Sequence, residues 1–450
     1  MSQVRLITGA DAGRDFLMRS RQLEQGDLPE SIRHSIRERF GEDLSAMGVV
    51  ERIIERVRAD GDQALFHYNS LIDGVDLERI QVTPEEFDAA RELVSADVYQ
   101  AMQFSRERIV RFHEQQLRTS WINFDSDGAL GQIIRPLERV GIYTPAGRAP
   151  YPSSLLMTAV PAIVAGVPDV IVCVPAGLDG TVSPIILAAA EIAGVNRVYK
   201  VGGAQAIAAM AYGTETVPKV DKILGPGNIF VVLAKKRVYG DVDIDQLPGP
   251  TETMLLADDS ASPELCAADL LAQAEHDPMA SAILVTTSPS LAEKVRAEIG
   301  AQIATLERGD VASQSLQDTG AIISVDTIEE QFELANLYAP EHLCLLLEDP
   351  WSHVDRVENA GGIFVGENSP EVIGDYSAGP SHVMPTGQTA RFSAPVNVEE
   401  FIKIISLVGI NKRGLSRLGP YAATIARAEG LTAHARAVER RLDNQANDGD

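Results

Sequence analysis

The sequence predicts an α/β protein built around two successive parallel-sheet units, with helical segments before and after them. From 130 to 250, short β-branched runs (DVIVCVPAG, RVYKVGG, KILGPGN) alternate with Ala-rich amphipathic stretches (SPIILAAAEIAG, AQAIAAMAYG). A second cycle of the same kind opens near 251, with TMLLAD, ELCAADLLAQAEH, SAILVTTS, SLAEKVRAEIG, AIISVD, IEEQFELANLYAPEH and GGIFVG. Strands alternating with helices make βαβ units, and βαβ units make parallel sheets. Two such units in succession imply a cleft between them.

In chain order, residues 1–27 read as an N-terminal arm and 28–128 as a mainly helical region. Within the latter, SAMGVVERIIERVRADGDQALFHY and EEFDAARELVSADVYQAMQFSRERIVRFHEQQ carry apolar residues at helical spacing and few strand formers. Residues 129–250 and 251–385 are then two successive, incomplete Rossmann-like α/β domains. Neither holds a GxGxxG dinucleotide fingerprint. Past 385 the strand signals fade, and VNVEEFIKIISLV with GLSRLGPYAATIARAEGLTAHARAVERRL reads as two or more helices, a C-terminal helical tail over 386–450.

Composition narrows the function. A length of 450 residues allows a sizeable core, and 45% hydrophobic with 23% charged residues is ordinary for a globular protein. The net charge of −25 disfavours nucleic acid and anionic membranes as partners. Cys173, Cys266 and Cys344 are odd in number, far apart and without CxxC spacing, which points to a reducing cytoplasm. The N-terminus lacks a secretory pattern, and no run of eighteen apolar residues occurs.

Six stretches could carry chemistry. In LLAQAEHDP, Gln273 and His276 stand three apart, so on a helix an amide oxygen and an imidazole nitrogen would share one face and could meet one metal ion. In APEHL, Glu341 beside His342 offers a base for water and a proton shuttle, although taken alone such a pair is more often a solvated turn. GDYSAGPSH sets Asp375 and His382 in a small-residue loop shaped for a ligand, or simply in a polar turn. EGLTAH carries Glu429 and His434, the latter inside a helix. GPGN at 225–228 and GGAQA at 202–206 are strand-to-helix turns where a ligand could approach the backbone, though such turns are commonly mere connections. Together Gln273, His276, Asp375 and His434 form a mixed nitrogen and oxygen set without thiolates, which suits a catalytic ion better than a structural zinc. A thiol nucleophile at Cys266, two helical turns before Gln273, is a competing idea, as is a non-catalytic two-lobed binding protein. His34, His67, His113 and His353 lie in charged helical contexts and read as surface residues.

With these stretches in hand, the chain resembles the histidinol dehydrogenase family from about residue 45 to 442. The resemblance is carried by GDQAL, VGIYTPAGRAPYPSSLLM, VGGAQAIAA, GPGNIFV, DIDQLPGPTE, LLAQAEHDP, YAPEHL, GDYSAGPSHVMPTG and AEGLTAH, in that order. It implies a cytoplasmic homodimer whose C-terminal tail reaches the partner subunit, with one zinc per subunit. It also implies NAD as cofactor and L-histidinol as substrate, oxidised to L-histidine through the aldehyde in two hydride transfers. By position, the zinc ligands would be Gln273, His276 and Asp375 from one subunit and His434 from the other. NAD would meet Tyr143, Gln205 and Asn228 in the 129–250 domain. Substrate would meet Thr251, His342, His382 and Glu429 along with the zinc ligands. His342 would take the alcohol proton, and Glu341 would activate the water that attacks the aldehyde. Three departures bear on the substrate: Thr251 stands where Ser is usual, Ala146 interrupts a usual PGG, and SAPVNVEEF replaces an SGLSV-type segment. The runner-up reading is a paralogue acting on another small amino alcohol or diol, such as a sulfonated propanediol.

Overall fold

The computed structural model describes residues 4–23, 30–145 and 150–447, so Ala146 lies outside the described residues. The chain divides into two compact units, Met1–Gln115 with Glu138–Phe401, and Gln116–Leu137 with Ile402–Asp450.

The larger unit holds two parallel sheets, as the alternating pattern predicts. The first has five strands in the order Arg197–Lys200, Asp169–Val174, Arg139–Tyr143, Lys222–Leu224, Asp243–Ile244. The chain thus winds one way from its first strand, Arg139–Tyr143, then returns to the other side of it. The reversal falls between Arg139–Tyr143 and Lys222–Leu224. Such a switch point leaves a crevice at the carboxyl ends of the strands.

The second sheet runs Arg5–Thr8, Ala321–Ser324, Ser281–Thr286, Glu252–Ala257, His342–Leu346, Gly362–Val365. Strands Glu252–Ala257 and Ser281–Thr286 are buried throughout, as expected where helices cover both faces of a parallel sheet. Their side chains alternate between two cores: Leu255, Ala257 and Leu284 join one, and Met254, Leu256, Ile283 and Val285 the other. A third core packs helices Ala46–Asp60 and Gly203–Tyr212 on the first sheet. Local chemistry sets the helix starts. Thr83 and Thr327 each close a capping box with the Glu three residues on, Glu86 and Glu330.

Three expectations are corrected. Residues 5–8 are not part of a free arm; RLIT pairs in parallel with Ala321–Ser324 as the edge strand of the second sheet. Residues 402–410, read as helix, form a nine-residue strand paired along its length with Gly128–Pro136. The segment is rich in Ile and Val, which favour strands, and its partner lies far upstream, beyond any local window. That partner, together with Trp121–Asp125, makes the antiparallel sheet of the smaller unit, so the expected boundary at 128 falls within a strand. The smaller unit also holds helices Lys412–Ala428 and Thr432–Asn447. Lastly, His113 is not a surface residue: it is fully buried, with Nδ1 2.8 Å from Ile109 O.

Candidate active site

The helix Ile328–Tyr338 stops at Ala339, which takes the left-handed conformation at φ 51°, and Pro340 forbids its continuation. Glu341 and His342 therefore enter a strand at once, His342 being its first residue. Neither is the solvated turn that the tripeptide PEH suggests by itself: they are 7% and 3% exposed. His342 pairs in register with Thr253, which sets the pair against the amino end of the neighbouring strand, Glu252–Ala257.

Glu341 Oε2 accepts from Thr251 Oγ1 at 2.6 Å and from Glu252 N at 3.2 Å. Burial nevertheless pushes its carboxyl above the usual carboxylate range. His342 Nδ1 lies 3.2 Å from Glu252 O, and its Nε2, without a hydrogen-bond partner, lies 3.6 Å from Asp375 Oδ1. Burial alone would lower the imidazole, but Glu341, Asp375 and Glu371 outweigh it and raise it to about 10. Asp375 moves the opposite way: burial is overcome by His342 beside it, and the carboxyl falls below its ordinary value.

Gln273 lies in the last turn of helix Pro263–Ala274, and His276 lies just beyond it, its N donating to Gln273 O at 3.2 Å. The pair thus sits on the closing turn, not wholly on the helix as expected. Gln273 is buried and His276 exposed. One end of the Gln273 amide lies 2.6 Å from Thr251 Oγ1, and the other lies 3.3 Å from Glu371 Oε1. With its nitrogen toward Glu371 the amide satisfies both neighbours; with its oxygen there, two acceptors face each other.

Asp375 stands on a short helix, Glu371–Tyr376, rather than in the following loop. Four residues before it on the same face is Glu371, 1% exposed and pushed up to about 7 by burial. Sequence reasoning missed Glu371, although the Glu-x-x-x-Asp spacing in EVIGD is visible. It missed Ser154 as well, on helix Pro152–Val164, whose Oγ lies 3.3 Å from His382 Nε2. His382 Nδ1 meets Asp375 O at 2.8 Å, and burial holds this imidazole below its ordinary value against the pull of Asp375. The two imidazoles beside Asp375 are therefore shifted in opposite directions.

The other cluster lies at the carboxyl ends of the first sheet. Tyr143 ends its strand, and its hydroxyl accepts from Gly203 N at 3.1 Å. Burial pushes that phenol up to about 12. Gln205 is fully buried; its Nε2 donates to Asp73 Oδ2 at 3.4 Å and its Oε1 has no partner. Asn228 caps helix Ile229–Val238, its Oδ1 accepting from Phe230 N at 3.0 Å and Val231 N at 3.3 Å. Candidate residues thus gather at the carboxyl ends of one sheet and the amino ends of the other. Glu429 and His434 belong to the smaller unit, where Glu429 closes helix Lys412–Ala428 and His434 opens the next; both are exposed.

Cys266 is fully buried in an apolar core, and burial pushes its thiol up to about 12, so the thiolate a nucleophile requires does not form near neutral pH. Among the described residues, no three of the His, Cys, Asp and Glu side chains converge on a metal-sized gap. The ligand set expected from the larger unit contains only two of those types, His276 and Asp375, with an amide as the third.

A family model for histidinol dehydrogenases matches residues 37–442. The histidinol dehydrogenase of Deinococcus radiodurans is 52% identical over 442 residues, spanning 98% of this chain and 100% of the relative. That of Moorella thermoacetica is 52% identical over 395 residues, 87% and 93% of the two chains. A crystal structure of histidinol dehydrogenase from Elizabethkingia anophelis is similar with a TM-score of 0.90 at 35% identity, covering 98% of this chain and 99% of that one.

Proposed function

Because the chain belongs to the histidinol dehydrogenase family, we propose that it oxidises L-histidinol to L-histidine through the aldehyde, with NAD and zinc. The observation that carries this reading is the buried Glu341–His342 pair, wired to Thr251 on one side and Asp375 on the other. A receptor has no use for two perturbed titratable groups in contact at its centre.

The donors fit a cation. Asp375 is held below the ordinary carboxylate range, and Gln273 and His276 would add an amide oxygen and an imidazole nitrogen, a mixed donor set of the kind a catalytic ion takes. Gln273, His276 and Asp375 would hold the ion, with His434 supplied by a second copy of the chain. When bound, zinc would supply a Lewis-acidic anchor for the nitrogen donors of the substrate, and NAD would accept the hydride. Tyr143, Gln205 and Asn228 would receive the dinucleotide at the switch point of the first sheet.

His342 is the group placed to take the alcohol proton. Its neighbouring carboxylates raise it to about 10, and a cation held by Asp375 would weaken that hold and so favour the basic form. Glu341, its pKa raised by burial and its Oε2 fixed by Thr251, is suited to take a proton from the water that attacks the aldehyde. Thr251 keeps the hydroxyl that this contact needs. His382, pinned between Asp375 O and Ser154, is suited to face the substrate.

A homodimer with a shared site is supported by the apolar surface of the smaller unit, where Phe124, Val408 and Tyr421 are 80%, 70% and 72% exposed. A cytoplasmic location is supported by three free, buried cysteines. No described helix is long and apolar enough to cross a membrane. The deciding experiment is NAD reduction with zinc present, comparing L-histidinol with a panel of diols and amino alcohols. Two NADH per histidinol is the expected result, and preference for a diol would overturn the substrate.

A further inference from the structure

Beneath the GPGN turn lies a charged pair that no step above uses. Lys235, on helix Ile229–Val238, has no solvent exposure, and its ammonium pairs with the Asp245 carboxylate, itself 3% exposed. Both partners direct further hydrogen bonds to one residue. Lys235 Nζ donates to Gly225 O at 3.0 Å, and Gly225 N donates to Asp245 Oδ2 at 2.8 Å. A single ion pair therefore holds both backbone polar groups of Gly225.

That residue has no side chain with which to brace itself, and none could be added. Its φ is +112°, and a Cβ there would stand 2.0 Å from the Tyr143 carbonyl oxygen, so no side chain fits. The backbone of the turn lies directly against the strand end that carries Tyr143. Asp245 also accepts from Gln246 N at 2.6 Å, and Gln246 Nε2 donates to Met384 O at 2.7 Å. Gly249 N, further along the same segment, donates to Thr386 Oγ1 at 2.7 Å. The carboxylate that clamps the turn thus opens the connection that ends at Thr251. Buried ion pairs add little net stability over apolar residues of similar volume, because desolvation offsets their attraction. Geometry gives this one its use.

We propose that Lys235 and Asp245 are positioning residues for the dinucleotide. They lock the Gly225–Asn228 turn against Tyr143 in the conformation that receives NAD, and they register that turn with the segment leading to Thr251. Neither touches a reacting atom. The proposal rests on the NAD reading given above, and the test separates the two.

The test compares the full-length wild-type protein with a Lys235→Met/Asp245→Leu double variant, which removes both charges together and leaves no buried ion unpaired. NAD binding is measured by calorimetry without substrate, alongside thermal melting and the KM values for NAD and for histidinol. The double variant is expected to melt cooperatively yet bind NAD about tenfold more weakly, because the turn is no longer preorganised. KM for NAD should rise while KM for histidinol holds, and Lys235→Arg should recover part of the loss. A folded double variant that binds NAD as the wild type does overturns the proposal. Should it not fold, Lys235→Gln, which keeps a donor of similar reach, is judged by the same ratio of the two KM values. A wild-type protein that binds no NAD overturns the cofactor reading, and the clamp with it.

Discussion

At the residue scale, environment sets opposite behaviour on chemically similar groups. His342 and His382 both lie close to Asp375, yet one is raised and the other lowered. The difference is that His342 is surrounded by three carboxylates, whereas His382 meets a backbone carbonyl and a hydroxyl. Among the carboxylates, Glu341 is the one hydrogen-bonded to Thr251. Glu341→Gln keeps the shape and removes the base, so turnover of the aldehyde should fall roughly a hundredfold or more, the usual worth of a general base. The check is the NADH yield per histidinol, which should drop from two toward one in a single-turnover assay. The cysteines make the converse case. All three are buried and their thiols raised. They should resist a disulfide reagent at pH 8 in the native protein and react in denaturant, while Cys266→Ala should retain activity.

At the element scale, the site depends on where helices stop. Ala339 and Pro340 end one helix so that His342, directly after Glu341, starts a buried strand, and the closing turn of another carries Gln273 and His276. The Asp375 segment is held from outside by helix Ala96–His113, with Arg108 donating to Ala378 O at 3.2 Å and Ser105 Oγ to Tyr376 O. Gly379 sits at φ +121°, and a Cβ there would come 2.7 Å from Arg108 O. Gly379→Ala should therefore cost about 1–3 kcal/mol and shift the loop between Asp375 and His382. A lower melting temperature together with reduced zinc per subunit would show it; loss of melting temperature alone would place the strain elsewhere.

At the scale of the whole molecule, the candidate ligands are divided. Gln273, His276 and Asp375 belong to the larger unit and His434 to the smaller one. If His434 completes the site of another copy, mixing inactive Asp375→Ala and His434→Ala chains under subunit-exchange conditions should restore part of the activity. No rescue under any exchange condition would count against sharing. Much of this protein was legible in its residues alone. The two α/β cycles were, because the strands alternate with helices in composition as well as in space. The motif residues were named through the resemblance that GPGN, AEHDP, PEHL and GDYSAGPSH carry together, since each stretch alone read as readily as a connection or a solvated turn. Other features waited for the tertiary structure. Arg5–Thr8 and Ile402–Ile410 are strands because of partners hundreds of residues away. Ser154 and the Lys235–Asp245 clamp carry no local motif, Glu371 shows only its four-residue spacing to Asp375, and all take their meaning from burial and from what they touch. The sequence by itself determined the two α/β cycles and offered the candidate side chains, since composition, identity and spacing are local. Only the tertiary structure decided which are buried, paired or charged, since those properties come from long-range packing and from the removal of water.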